Sequence, residues 1–144
     1  MKINIYQVDA FTSNVFGGNP AGVVPDASEL SEEDMKKVAR EMNLSETAFI
    51  VPIDKENYKV RFFTPVCEVD LCGHATIGSF FTMAQKGYIQ NRGKEKIKIF
   101  QNTKVGKLPV EIYYKNGKVD KVLMQQGKPK SIKKIEEMKK LLRA

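Results

Sequence analysis

Two short stretches hold the residues best placed to do chemistry. EVDLCGHATIGS (68–79) sets Cys72, Gly73 and the only histidine of the chain, His74, at the mouth of an apolar helix. NLSETAFIV (43–51) sets Glu46 at the junction between a helix and an apolar strand. Burial at such a junction disfavours the charged form of a carboxylate, which suits it to general acid–base work near neutral pH. The ordinary alternative is a strand-entry glutamate that faces solvent or caps a turn, and the residue types alone leave both open. At 73–74, the free N–H groups of a first helical turn make an anion site, and a glycine lets carboxylate oxygens approach the backbone. His74 could then hold or relay a proton. The alternative there is that Asp70 or the Cys72 backbone caps the helix and His74 is a satisfied structural group.

Other chemistries find little footing. FGGNP (16–20) is not a GxGxxG fingerprint, no Walker sequence is present, and a Ser-His-Asp triad cannot be read from one histidine. Cys67 and Cys72 with a single histidine do not complete a four-ligand zinc site. The expectation is reduced thiols, no metal and no cofactor.

The elements that must position these residues are legible from periodicity and turn chemistry. Lys2–Asp9 alternates imperfectly and predicts an opening strand, followed by a shaped loop through FGGNP and a short apolar run. SEEDMKKVAREMN predicts a helix with Ser31 as N-cap, an acidic first turn, and Met35, Val38, Ala39 and Met42 on one face. Thr47–Ile53 and YKVRFFTP predict strands. HATIGSFFTMAQK, about 74–86, is apolar around much of its circumference and predicts a buried central helix stopped by Gly87. KIKIFQNT, KLPVEIYY and KVDKVLMQQ predict three more strands, with Asn116-Gly117 as a tight hairpin turn. SIKKIEEMKKLLRA (131–144) predicts a C-terminal amphipathic helix. The fold class is therefore α+β, a mostly antiparallel curved sheet or barrel around one apolar helix.

Length and composition agree with one globular domain: 144 residues, 42% hydrophobic and 28% charged. No apolar run reaches membrane-spanning length, so no membrane partner is expected. MKINIYQVDAFTS lacks the apolar core of a signal peptide, which predicts a cytoplasmic protein. The net charge of +7 is uneven: residues 1–90 carry 8 basic and 12 acidic side chains, residues 91–144 carry 16 and 5. The basic residues are almost all single lysines with few aromatics interleaved, the pattern of a solvated surface, so nucleic acid is not an expected partner.

Three stretches in order, FGGNPAGVV (16–24), MNLSETAFIV (42–51) and VRFFTPVCEVDLCGHATIGS (60–79), resemble the PhzF-like family of phenazine-biosynthesis isomerases. The resemblance is strong over residues 1 to about 90 and looser over the next three strands. It implies half of a diaminopimelate-epimerase-like fold, in which two curved-sheet halves, each wrapped round a helix, face each other across a cleft. It implies a cofactor-independent proton shift within a small carboxylate-bearing cyclic or amino-acid-like substrate, with Glu46 taking a proton from one carbon and returning it to another. The known family chemistry is isomerisation of an amino-hydroxy-cyclohexadiene carboxylate. By the same likeness Gly73 lines the carboxylate site, His74 stands in the cleft, Asn19 and Asp70 help shape it, and Cys72 is structural. A non-catalytic carboxylate-binding or assembly module is the alternative reading. Family members also carry a second half with a catalytic-site aspartate and a glycine-serine loop. No counterpart of either is found here, and 131–144 falls where the crossing to that half is expected. Residues 1–130 therefore read as a single N-terminal-type domain, with a homodimer or a complementary half-domain as the expected partner.

Overall fold

The computed structural model describes residues 1–129. The helix expected over 131–144 lies outside the described residues. In chain order these form β1 (Tyr6–Ala10), β2 (Asn19–Val24), α1 (Glu32–Met42), β3 (Glu46–Pro52), β4 (Asn57–Phe63), the short β5 (Glu68–Val69), α2 (Gly73–Gln85), β6 (Lys96–Thr103), β7 (Gly106–Lys115) and β8 (Lys118–Met124).

The local signals act as the sequence predicts. The Asp34 amide donates to Ser31 Oγ at 3.1 Å, and the Ser31 amide donates to Asp34 Oδ2 at 3.2 Å. This reciprocal cap contributes about 1 kcal/mol to starting α1. The helix ends at Asn43, which takes the left-handed conformation with φ 51°. Asn116 and Gly117, with φ 52° and 73°, make the tight turn between β7 and β8. Three strands differ from expectation, one of them the two-residue β5, which pairs with β4 and was not expected. The opening strand begins only at Tyr6, because Tyr6 pairs with Val23 near the end of β2 and earlier residues have no ladder partner. The run NPAGVV is itself a strand, recruited by pairing on both sides.

The sheet order is β1-β2-β3-β4-β6-β7-β8, with β5 on β4. Most neighbours are antiparallel, but β2–β3 and β4–β6 are parallel. Parallel neighbours require crossovers, which is where the helices go: α1 lies between β2 and β3 in the chain, and α2 between β4 and β6. Strand β3 is apolar from Ala48 to Val51 because it is covered on both faces. Ala48 and Ile50 join the core around α2, while Phe49 joins Met35 and Ala39 under α1 and stacks edge-on against Phe63 at 5.5 Å.

Helix α2 is buried nearly all round. The sheet's first and last strands, β1 and β8, both pack against it, so the sheet must curl about this helix. Small residues permit the close approach: a Cβ on Gly78 would lie 3.0 Å from Val8 Cγ1. Phe80, fully buried and edge-on to Tyr58 at 5.8 Å, fills the space between. Its burial stabilises by roughly 2–3 kcal/mol. The result is the expected α+β half-barrel around the predicted helix.

Charged residues tie the layers together at one point. Arg61 on β4 grips Glu68 on β5 with two bonds, Nε to Oε1 at 2.8 Å and Nη2 to Oε2 at 2.7 Å. The same Nη2 reaches Glu32 of α1 at 2.7 Å, and Lys104 Nζ reaches Glu68 at 2.8 Å. On β6–β8 the lysines that look solitary along the chain share rings across strands. Lys96 and Lys121 flank Tyr113, while Lys98 and Lys107 flank Phe100. No helix among the described residues is long and apolar enough to cross a membrane.

Candidate active site

Pairing of β2 with β3 puts Glu46 opposite Ala21, on the sheet face that carries Ala48 and Ile50 against α2. Glu46 therefore points towards α2 at the end of the sheet where that helix begins. The imidazole of His74 meets it there, with Nε2 3.4 Å from Glu46 Oε2. Ser45 Oγ also lies 3.4 Å from Nε2, and the other ring nitrogen, Nδ1, lies 3.3 Å from Cys72 Sγ. The histidine thus bridges a carboxylate and a thiol.

The contact with Glu46 is close without being a hydrogen bond, and Oε2 is buried with no hydrogen-bond partner among the described residues. The side chain as a whole keeps 22% of its surface exposed. One carboxylate oxygen is enclosed beside the imidazole while the residue still reaches open space. Burial pushes the Cys72 thiol up to about 11, and the Glu46 charge adds to the effect. The thiol is therefore protonated at neutral pH, able to donate to Nδ1. A thiol hydrogen given to Nδ1 would place the ring's own hydrogen on Nε2, on the side of Glu46.

The first turn of α2 carries no side-chain cap. Cys72 is the N-cap, but its side chain makes no capping hydrogen bond. Gly73 is not needed for backbone conformation, since its φ is not positive. Nor is it needed for internal packing: a Cβ there would meet nothing closer than Gln126 Nε2 at 3.6 Å and Met124 Sδ at 3.9 Å. The place a Cβ would take is bordered by Gln126 and Met124 and lies beside the helix N-terminus, where N–H groups and the helix dipole favour negative charge.

Of the residues singled out in the sequence, Glu46 and His74 come together, with Gly73 beside them. Asn19 is exposed at the start of β2, two residues before the Ala21 that pairs with Glu46. Asp70 is exposed, makes no side-chain hydrogen bond among the described residues, and does not cap α2. Cys72, expected to be structural, has its sulfur 3.3 Å from the site histidine. Ser45 and Gln126 were not singled out at all. Ser45 neighbours Glu46 in the chain and so carried a signal; Gln126 carried none, because only the curl of the sheet brings it over Gly73.

Comparison with solved structures places this half-barrel in the diaminopimelate-epimerase-like class. A predicted epimerase from Pseudomonas aeruginosa shares the fold at TM-score 0.71 and 21% identity, over 82% of this chain and 41% of that one. A PhzF-family phenazine biosynthesis protein from Bacillus anthracis matches at TM-score 0.71 and 39% identity, over 83% of this chain and 39% of that one. The family described as phenazine biosynthesis-like protein (PhzC-PhzF) matches residues 8–143, and the chain belongs to it. An uncharacterized isomerase of Clostridium acetobutylicum is 45% identical over 99% of this chain and 47% of its own length. The uncharacterized isomerase YddE of Escherichia coli is 41% identical over 90% of this chain and 41% of its own. The chain thus spans less than half the length of these relatives.

Proposed function

We propose that this chain contributes one wall of an isomerase site that shifts a proton within a small carboxylate-bearing substrate. The observation that carries the reading is the position of Glu46, whose Oε2 is enclosed 3.4 Å from His74 Nε2 yet has no hydrogen-bond partner among the described residues. An acceptor held in place without a partner is free to take a proton. The substrate carboxylate docks on the first turn of α2 over Gly73, which fixes the distance between its reacting carbons and Glu46. Glu46 removes a proton from a carbon acidified by a neighbouring π system, and His74, as the neutral Nε2–H tautomer, steadies the carboxylate. The same carboxyl then returns the proton to another carbon. Relatives that bear the word isomerase in their names support the reaction class. The test is deuterium exchange from D2O into a cyclic amino-hydroxy carboxylate.

Gly73→Ala separates the anion site from the fold. Among the described residues no atom lies closer than 3.6 Å to the new methyl, so the melting temperature is expected to hold. The affinity for small carboxylates should fall about tenfold, since the methyl blocks charge-assisted hydrogen bonds to the backbone. Unchanged carboxylate binding, measured by calorimetry, would remove the first turn of α2 from the site.

The site opens outwards on this half alone, and the loop joining β1 to β2 at the same end exposes Phe11, Val15 and Phe16 by 73%, 77% and 92%. Large apolar side chains so exposed favour a covering partner. The proposal is that a second copy of the chain, or a complementary half-domain, faces this wall. Light scattering on the isolated chain should give a dimer at micromolar concentration; a clean monomer would leave only the complementary half.

A further inference from the structure

We infer that Glu46, Cys72 and His74 together form a binding site for a borderline-soft divalent cation, Zn2+ foremost, and that metal capture silences the proton-transfer carboxylate. The three side chains offer one oxygen, one sulfur and one nitrogen, and these ligand atoms all lie within 4.8 Å of one another. Tetrahedral zinc, with bonds of about 2.0–2.3 Å, holds its donors roughly 3.3–3.7 Å apart. Two of the contacts already fall in or near that range: His74 Nε2 to Glu46 Oε2 at 3.4 Å, and His74 Nδ1 to Cys72 Sγ at 3.3 Å. Only one ring nitrogen can take the metal. Closing the site therefore requires a rotation of the imidazole that brings one nitrogen towards both the carboxylate and the thiol.

The donor types choose the metal. A thiolate with an imidazole and one carboxylate suits zinc or cobalt and disfavours magnesium and calcium, which seek all-oxygen shells. The unpartnered, buried Oε2 of Glu46 is an acceptor that a cation would satisfy. His74 is also the sole ion-pair partner of Glu46 among the described residues, so no lysine or arginine there competes for it. Side-chain exposures of 11% for His74 and 22% for Glu46 leave a way in from solvent. Three protein ligands with an open fourth position match the pattern of accessible zinc sites rather than closed structural ones. In binding, a sulfur–metal bond replaces the S–H bond of Cys72, and the released proton goes to buffer.

A search of the sequence for Cys and His alone misses this site. Cys67, the other cysteine, is exposed and sits in a turn with Thr64, outside the cluster. The site is completed by a carboxylate from β3, 26 positions before Cys72, which only the β2–β3 pairing delivers.

The test uses Co2+ as a coloured stand-in for Zn2+, so it does not depend on the isomerase reading. Titrating Co2+ into Cys67→Ser protein, in which Cys72 is the only thiol, should raise a thiolate-to-cobalt charge-transfer band in the near ultraviolet with 1:1 stoichiometry. Zn2+ should bleach it. Glu46→Gln should retain the band but weaken binding by at least the roughly tenfold that losing even an outer-shell partner costs. Cys72→Ser in the otherwise native chain should lose the band altogether. Absence of a charge-transfer band in Cys67→Ser at millimolar Co2+ would overturn the site, as would an affinity indifferent to Glu46→Gln. If the isomerase activity is then in hand, Zn2+ should inhibit it and a chelator should restore it. Metal binding without such inhibition would keep the site and refute the silencing.

Discussion

Glu46→Gln is expected to reduce deuterium exchange into a cyclic amino-hydroxy carboxylate by about 10²–10⁴-fold, the range a positioned acid–base group contributes. Glutamine has the size and shape of the glutamate but cannot accept and return a proton at its amide. Because Glu46 Oε2 makes no hydrogen bond among the described residues, the exchange removes little that holds the fold. Far-ultraviolet dichroism and the melting temperature should therefore be nearly unchanged. Binding of small carboxylates should persist as well, since that task falls to the first turn of α2. Loss of exchange with retained binding and folding would separate the two halves of the proposal. Equal exchange in wild type and variant, measured in the assembly that is active, would take Glu46 out of the mechanism. The binding-module alternative would then remain, with Gly73 as its anchor.

The second large effect concerns stability. Arg61→Leu is expected to cost about 3 kcal/mol, because it strands a carboxylate, Glu68, whose side chain is only 10% exposed. Lys104 would still reach Glu68, which keeps the loss from being larger. For a domain of this size the melting temperature should fall on the order of 10 °C. The pH dependence has a definite sign. The hydrogen bonds from Arg61, foremost, hold Glu68 below the usual carboxylate range, against the opposing effect of burial. A carboxyl whose folded value is depressed adds stability above its unfolded value near 4.5, and loses it as the pH falls through the lower folded value. Wild type should thus weaken on acidification below about pH 5, and the two proteins should converge at low pH. Urea denaturation at pH 7 and pH 3 reads this directly. An equal difference at both values would show that Arg61 acts by packing over the Phe63 ring, 5.1 Å away, and not through Glu68.

How much of this was legible before the fold was known depends on how local the cause is. Ser31 and Asp34 start α1 from three residues apart, Asn43 stops it, and Asn116-Gly117 turns β7 into β8. In each case the interacting groups are chain neighbours, so sequence spacing is already geometry. The burial of α2 was readable for the same reason, since a helix apolar on every side has nowhere else to go. The motifs around Glu46 and Cys72–Gly73–His74 also stood out, through residue type and family resemblance. The lysines of β6–β8, single along the chain with few aromatics interleaved, gain aromatic partners in the fold, because Lys96, Tyr113 and Lys121 are adjacent only across strands.

The sequence by itself therefore determined the two helices and most of the strands, the caps and turns between them, and the candidate chemistry of Glu46, Gly73 and His74. The tertiary structure alone decided that Glu46 meets His74 and Cys72, that Gln126 overlooks Gly73, and that Arg61 joins Glu32, Glu68 and Lys104. The physical reason is register. A strand shifted by one residue turns every side chain to the opposite face, so the direction of Glu46 is set by its pairing with Ala21 in a neighbouring strand. Such pairing depends on long-range packing around α2, which no local pattern encodes.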